Sequence, residues 1–355
     1  MNEIAVFTGS LTIYWSAIII CLGIAAGLCL TLSLYPIDHR HNTAVWVWFP
    51  ITVVLSVLLA RLLHWYSHIE QYPSLIEAVT DYSTGGYCVQ GIILGAIFAA
   101  LLVRLFRLTP TAGELLDAAA PGMALCLALV RLSSLFNTNC RGRIVITNPA
   151  YQRLPFAISW TDAAGNGEYR LATFFLELIL LLIVSVILLV FYFRHRSEPL
   201  RNGQGNSGNV MWRFLVLLGM VEFLADSTRY DSALFHFFLI KKLNPYASFI
   251  AITQVFSAVC FLVCFIRYMK ISVRSNGWKW YHFLSILFFL LTFVAAGYMG
   301  EYRVQRTARY VDCYLWEGGA MIAIALNLLC IYHSCLAKDD YDDYDDYDDY
   351  DEDDE

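Results

Sequence analysis

Apolar runs of roughly twenty residues, the length that spans a bilayer, recur along the chain near 11–34, 44–64, 86–107, 116–136, 171–193, 211–228, 247–268, 281–299 and 318–337. An α-helix rises about 1.5 Å per residue, so each run crosses a hydrocarbon layer about 30 Å thick. Lipid offers no hydrogen bonds, and a helix satisfies its backbone within one segment. The pattern predicts nine transmembrane helices. The sixth is the weakest, because VEFLADSTR sets Glu222, Asp226 and Arg229 inside it. The leader MNEIAVFTGSLTIYW has neither a basic n-region nor a small-residue cleavage site, and it reads as a short entry into a retained helix.

Composition agrees with the pattern. The 355 residues are 58% hydrophobic and 15% charged, against about 25% charged in soluble domains. The fold class expected is therefore an all-α polytopic membrane protein. The formal charge of -6 comes from the tail after Lys338, which holds 13 of the 30 acidic residues; without it, 24 basic residues stand against 17 acidic ones, a net +7. That Asp-Asp-Tyr tail matches no helix or strand period and is expected to be disordered and solvated. Residues 197–209, SEPLRNGQGNSGN, read as a flexible linker. Most of the ten cysteines lie inside apolar runs, where a thiol packs as a small hydrophobe. Cys140 and Cys313 fall in loops placed outside, and a bridge between them is not expected.

Orientation follows from basic residues in the loops. With the N-terminus outside, the inner loops carry Arg104 and Arg107, then Arg194, Arg196, Arg201 and Arg213, then Arg267, Lys270, Arg274 and Lys279. The outer loop 65–84 has no Lys or Arg. Two outer segments are basic on the wrong side: 137–170 with Arg141, Arg143, Arg153 and Arg170, and 300–316 with Arg303, Arg306 and Arg309. A negatively charged ligand would account for them. Residues 137–170, which include NPAYQRLPF and DAAGNGEY, are expected to form a turn-rich extracytoplasmic cap.

Charged groups at mid-bilayer cost about 2.5–3.5 kcal/mol and must face protein or water. Arg61 lies near the outer end of the second run, where snorkelling to the interface is an equal alternative. Arg131 precedes a polar stretch, RLSSLFNTNCRGR, in which positions 131, 134 and 138 would share a helix face, followed by Arg141 and Arg143. Guanidinium suits bidentate contact with phosphate, and the Asn137 amide can complete the oxygen shell; a polar helix end at the interface is the plainer alternative. Glu222, Asp226 and Arg229 share a helix face, as either a substrate site or a buried ion network. Glu177, solitary in FFLELILLL, is expected to pair with a cap arginine. In GGYCVQGIILG the glycines allow close helix approach, Gly91-xxx-Gly95 is a packing pattern, and Gln90 is the functional candidate. Zinc spacing, a P-loop and a nucleophile elbow are all missing, and nothing resembles a nucleic-acid binder.

These landmarks, in this order, resemble the bacterial prolipoprotein diacylglyceryl transferases over about residues 10–270. IYWSAIIICLGI looks like the family's first span. ARLLHWY is similar to its Gly/Ala-Arg-x-x-Tyr pattern through Ala60 and Arg61. GGYCVQGIILG matches Gly-Gly-x-x-x-His-Gly-x-x-x-Gly, with Gln90 in the histidine's place. LDAAAPGMALCLALVRLSSLFNTNCRGR follows the Asp-x-x-Ala-Pro…Gly-Arg signature, with Ser133 and Ser134 for Gly-Asn and Asn139 for a glutamate. Glu222 stands for a family arginine and Asp226 for a glutamate, while ITQVFS carries Gln254 and Ser257 of the Gly-Gln-x-x-Ser pattern.

The resemblance implies a seven-span transferase-like bundle at 1–270, two added transmembrane helices at 271–338 and the acidic tail at 339–355. It implies transfer of a diacylglyceryl group from phosphatidylglycerol to the lipobox cysteine of a preprolipoprotein signal peptide, forming a thioether and releasing glycerol phosphate. The setting implied is the bacterial inner membrane, with the tail cytoplasmic and with no cofactor or metal. Arg61, Arg131, Asn137, Arg143 and Arg229 are implied at the lipid phosphate. Arg131, Gln90, Glu222 and Asp226 are implied at the reacting centre, with Gln254 and Ser257 secondary. An amide such as Gln90 cannot take up the thiol proton, so Glu222, Asp226 or His64 would have to do so. The alternative is a diverged, inactive phospholipid-binding or transport protein on the same scaffold.

Overall fold

The computed structural model describes residues 4–8, 11–35, 39–69, 72, 74–80, 86–136, 141–161, 165, 167–195, 207–229, 251–303 and 310–335. The acidic tail, Asn137, Asn139, Cys140 and most of the 197–209 linker lie outside these residues.

The chain opens with a small antiparallel hairpin, β1 (Ile4–Thr8) and β2 (Leu11–Tyr14). The first helix, α1 (Trp15–Leu34), therefore begins four residues later than the apolar run suggested. IAVFT and LTIY are short and rich in β-branched and aromatic residues, which suits strands rather than a helix. Next come α2 (His39–Ser67), the short α3 (Leu75–Thr80), α4 (Val89–Leu105) and α5 (Ala112–Ser133) with a 3-10 turn over Ser134–Phe136. The cap contains α6 (Pro149–Gln152) and a second antiparallel hairpin, β3 (Ala157–Thr161) and β4 (Gly167–Leu171). Thereafter the chain is helical: α7 (Thr173–His195), α8 (Asn209–Thr228), α9 (Ile252–Asn276), α10 (Trp280–Gly297), a π-turn over Tyr298–Arg303, and α11 (Tyr310–Cys335). Cys313 thus lies in a helix rather than a loop, as a buried free thiol.

Among the described residues, seven helices are long and apolar enough to cross a membrane: α1, α2, α5, α7, α9, α10 and α11. The protein is an all-α polytopic membrane protein. Two of the nine expected spans fall short by that measure. α4 has 17 residues, and α8 carries Arg213, Glu222 and Asp226. The reason α8 tolerates these charges is its place in the bundle: 16 of its 20 residues are buried, so it meets protein instead of lipid. It sits between two apolar cores. Phe214, Leu218 and Val221 pack into one with α1, α2, α4, α5 and α7, while Val216 and Phe223 join α9, α10 and α11 in the other. The outward faces keep large apolar side chains such as Leu22, Phe193, Leu291 and Val294, as contact with acyl chains allows.

Close approach of α2 and α4 explains the glycine pattern in the third run. A Cβ on Gly91 would lie 2.3 Å from Ala60 Cα, and one on Gly95 would lie 2.6 Å from Ser56 Cα. Only glycine admits this contact. It fixes Gln90, one residue before Gly91, against the end of α2.

Candidate active site

The helices alternate in direction, so the ends of α2, α5 and α8 and the starts of α4, α7 and α9 meet at the cap side of the bundle. Each contributes a polar side chain there. Arg131 comes from the last turn of α5, Glu177 from the start of α7, Glu222 and Asp226 from the last two turns of α8, and Arg229 from the residue after it.

These five form one buried ion network. Arg131 Nη2 donates to both Glu222 oxygens, at 2.8 and 3.0 Å, and Arg131 Nε is paired with Glu177 Oε2. Glu177 Oε1 accepts from Arg229 Nε at 3.0 Å and Nη2 at 2.6 Å. Glu177 therefore bridges the two arginines and is completely buried. This corrects the expectation that it pairs with a cap arginine: Arg131 and Arg229 lie on the helices flanking α7, and it meets both. Arg229 adopts extended geometry (φ -72°, ψ 143°) at the end of α8, which turns its side chain back towards α7.

Asp226 differs from the other two carboxylates. Its nearest cation is Arg229 Nη1, at 3.9 Å from Oδ1, beyond hydrogen-bonding distance. Thr253, at the start of α9, is its neutral polar neighbour, and among the described residues neither Asp226 oxygen lies within hydrogen-bonding distance of a guanidinium. Among the described residues, the cluster holds three carboxylates against two guanidiniums, and Asp226 is the one in excess.

Gln90 is buried near the start of α4. Its Oε1 accepts from the Cys88 thiol at 2.7 Å, while Nε2 has no acceptor among the described residues. Gln254 Oε1 accepts from Ala251 N at 2.9 Å and so closes the first turn of α9, and the Ser257 hydroxyl bonds back to Thr253 O at 2.9 Å. Both are buried and shape α9 beside Asp226.

Two further arginines bond to backbone carbonyls. Arg61 does not snorkel: it is 3% exposed and donates from Nε to Ala78 O at 2.5 Å and from Nη1 to Gly86 O at 3.0 Å. Tyr72 and Tyr87 flank its guanidinium at 5.7 and 5.8 Å. It ties α3 and the entry to α4 onto α2. His64, a turn further on, stacks on His68 with ring centres 4.3 Å apart. Arg143 joins the cap to the site. Its backbone N–H donates to Thr228 O at 2.9 Å and its Nε to Arg229 O at 2.7 Å, beside a bridge between Gly142 and Arg229. Arg141, two residues earlier, has a buried Nε with no acceptor among the described residues, and burial holds its pKa below the usual guanidinium value. Asn137 lies outside the described residues.

Arg131, Glu222, Asp226 and Arg229 are thus brought together, with Arg143 at their edge. The fifth member, Glu177, was not foreseen as a site residue. Its signal was an acid alone in a 23-residue apolar helix, a position too costly for a residue without partners.

The fold and this network define a multi-pass helical membrane protein that buries an acid–arginine centre beneath an irregular cap. The sequence model of the family described as prolipoprotein diacylglyceryl transferase matches residues 3–270, and the chain belongs to that family of membrane transferases of lipoprotein biosynthesis. It is similar to the phosphatidylglycerol–prolipoprotein diacylglyceryl transferase of Lactococcus lactis subsp. lactis, at 30% identity over 65% of this chain and 84% of the relative. The transferases of that name from Clostridium novyi and Clostridium kluyveri are each 27% identical, covering 65% and 74% of this chain and 86% and 97% of their own lengths. α10 and α11 lie beyond the matched region.

Proposed function

We propose that this chain moves a diacylglyceryl group from phosphatidylglycerol to the lipobox cysteine thiol of a preprolipoprotein signal peptide. The observation that carries the reading is the excess carboxylate, Asp226, inside a buried arginine network of a chain of this family. A thiolate is the competent nucleophile, so the thiol must lose its proton in a site with little water. Asp226 is the proton acceptor there, because Glu177 and Glu222 are already held by guanidiniums. The thiolate sulfur then attacks the glyceryl carbon. The S–C bond forms, the C–O bond to phosphate breaks, and glycerol phosphate leaves with the electron pair.

Charge on the departing phosphate must be met by cations fixed in place. Arg229 and Arg131 serve as that pair, exchanging part of their contact with Glu177 and Glu222 for phosphate oxygens. Arg143 closes the cap side. Arg61 acts by holding α3 and the start of α4, which sets Gln90 in the wall of the site. Gln90 Nε2, a buried donor with no acceptor, is suited to a substrate oxygen. Gln254 and Ser257 keep α9 against Asp226.

The setting follows: the bacterial inner membrane, with the N-terminus and cap outside and the acidic tail in the cytoplasm. Residues 1–270 form the transferase domain, 271–338 a two-helix extension and 339–355 the tail. No cofactor or nucleic acid enters the scheme. A second reading, a phospholipid-binding protein without turnover, is favoured by one observation: Arg131 and Arg229 are already paired with carboxylates.

Purified full-length protein, phosphatidylglycerol vesicles and a lipobox peptide decide between them. Thioether-linked diacylglyceryl peptide supports transfer. Headgroup binding with an unmodified peptide supports the second reading and overturns the first.

A further inference from the structure

Among the described residues, the α10–α11 extension makes buried polar contacts with both ends of α8: near the start Asn209 Nδ2 donates to the Tyr332 hydroxyl, and near the end, beside the ion network, Glu317 meets Ser227. Glu317, in the second turn of α11, is completely buried, and its Oε2 accepts from the Ser227 hydroxyl at 2.9 Å. One turn earlier on the same helix, the Tyr314 hydroxyl donates to Ser227 O at 3.2 Å. Gly300, in the π-turn before α11, leaves room for this carboxylate: a Cβ there would lie 2.8 Å from Glu317 Cδ. The extension therefore grips both the side chain and the carbonyl of one residue.

That residue follows Asp226 directly and stands two before Arg229. From the opposite side, the cap holds the next two carbonyls, since Arg143 donates to Thr228 O and Arg229 O. The stretch carrying the excess carboxylate and one guanidinium is thus clamped between cap and extension. A fully buried carboxylate is an expensive way to pack a helix, whereas an apolar residue would pack at no such cost. Glu317 instead makes a hydrogen bond to the residue between the two charged side chains.

We infer that Glu317 is a positioning residue of the active site, and that the extension completes the site by fixing the end of α8. The functional half of this inference rests on the proposed transfer reaction. The clamp itself does not.

The test uses full-length protein and the variants Glu317→Ala, Glu317→Gln and Ser227→Ala, with two readouts: backbone hydrogen exchange at 226–229 and the rate of peptide diacylglyceryl transfer. Glu317→Ala and Ser227→Ala are expected to speed exchange at those amides at least tenfold and to lower kcat at least tenfold. The double variant should be no worse than either single one. Glu317→Gln keeps an acceptor of the same reach and should stay within twofold of wild type in both readouts, while Ser227→Ala leaves the Glu317 side chain in place and so separates the hydrogen bond from general packing. If Glu317→Ala does not fold, Ser227→Ala removes the same bond without emptying the core. Unchanged exchange in Ser227→Ala, or faster exchange with full turnover, overturns the inference. A wild type that exchanges normally yet transfers nothing sinks the transfer reaction, and exchange at 226–229 alone then decides the clamp.

Discussion

A carboxylate buried without a hydrogen-bond donor is uncommon in a folded bundle, because its desolvation is not repaid. Asp226 approaches that position: among the described residues its nearest guanidinium nitrogen is 3.9 Å away, whereas Glu177 and Glu222 each accept from a guanidinium. A general base contributes about 10²–10⁴-fold to a rate, so Asp226→Asn should lower peptide transfer by about that factor while the protein keeps its detergent-solubilised fold. A loss under threefold would remove Asp226 from the chemistry. Gln90→His puts a titratable ring where the buried amide now stands, and a faster transfer rate is expected if the base limits turnover. A slower rate means that the amide itself is needed, and an unchanged rate that neither group at this position limits turnover. Much of this residue-level picture was legible in the sequence, because charges inside apolar runs stand out. Glu177 was visible but misassigned. Its partners lie 46 residues before it and 52 after it, a pairing set by helix packing that no local spacing reveals.

Helices were the most legible elements, since an apolar run of membrane length has few other uses. Their ends were less so. The first run reached back to residue 11, yet β1 and β2 pair there as a hairpin. The cap was read as turn-rich, but its hairpin of β3 and β4 was not foreseen, because each strand is only five residues long. Packing between elements gives two expectations. Gly91→Val forces side-chain atoms into α2, where even a Cβ would lie 2.3 Å from Ala60 Cα. It should destabilise the protein by about 1–3 kcal/mol or more, measured as a lower melting temperature in detergent. Glu177→Ala leaves two buried guanidiniums with one fewer counter-charge and should cost about 3–5 kcal/mol, read in the same melt. A melt within a degree of wild type would show that Glu177 does not tie α5, α7 and α8 together.

Among the described residues, the two larger apolar cores share α8, and the ion network sits at one end of that helix. Sequence indicated the membrane class, the family and the presence of extra C-terminal helices. It did not indicate that the extension touches the site, because Glu317 and Ser227 lie 90 residues apart and neither belongs to a motif. Nor did it reveal that the arginines expected at the phosphate are already paired. That pairing makes turnover the decisive property, since binding alone would fit a silent scaffold. The most direct measurement follows both products at once, with phosphatidylglycerol present and the lipobox peptide either added or withheld. We expect one glycerol phosphate released for each thioether formed, and none without peptide. Glycerol phosphate released without peptide, or a peptide left unmodified while lipid binds, would contradict transfer from the lipid to the cysteine.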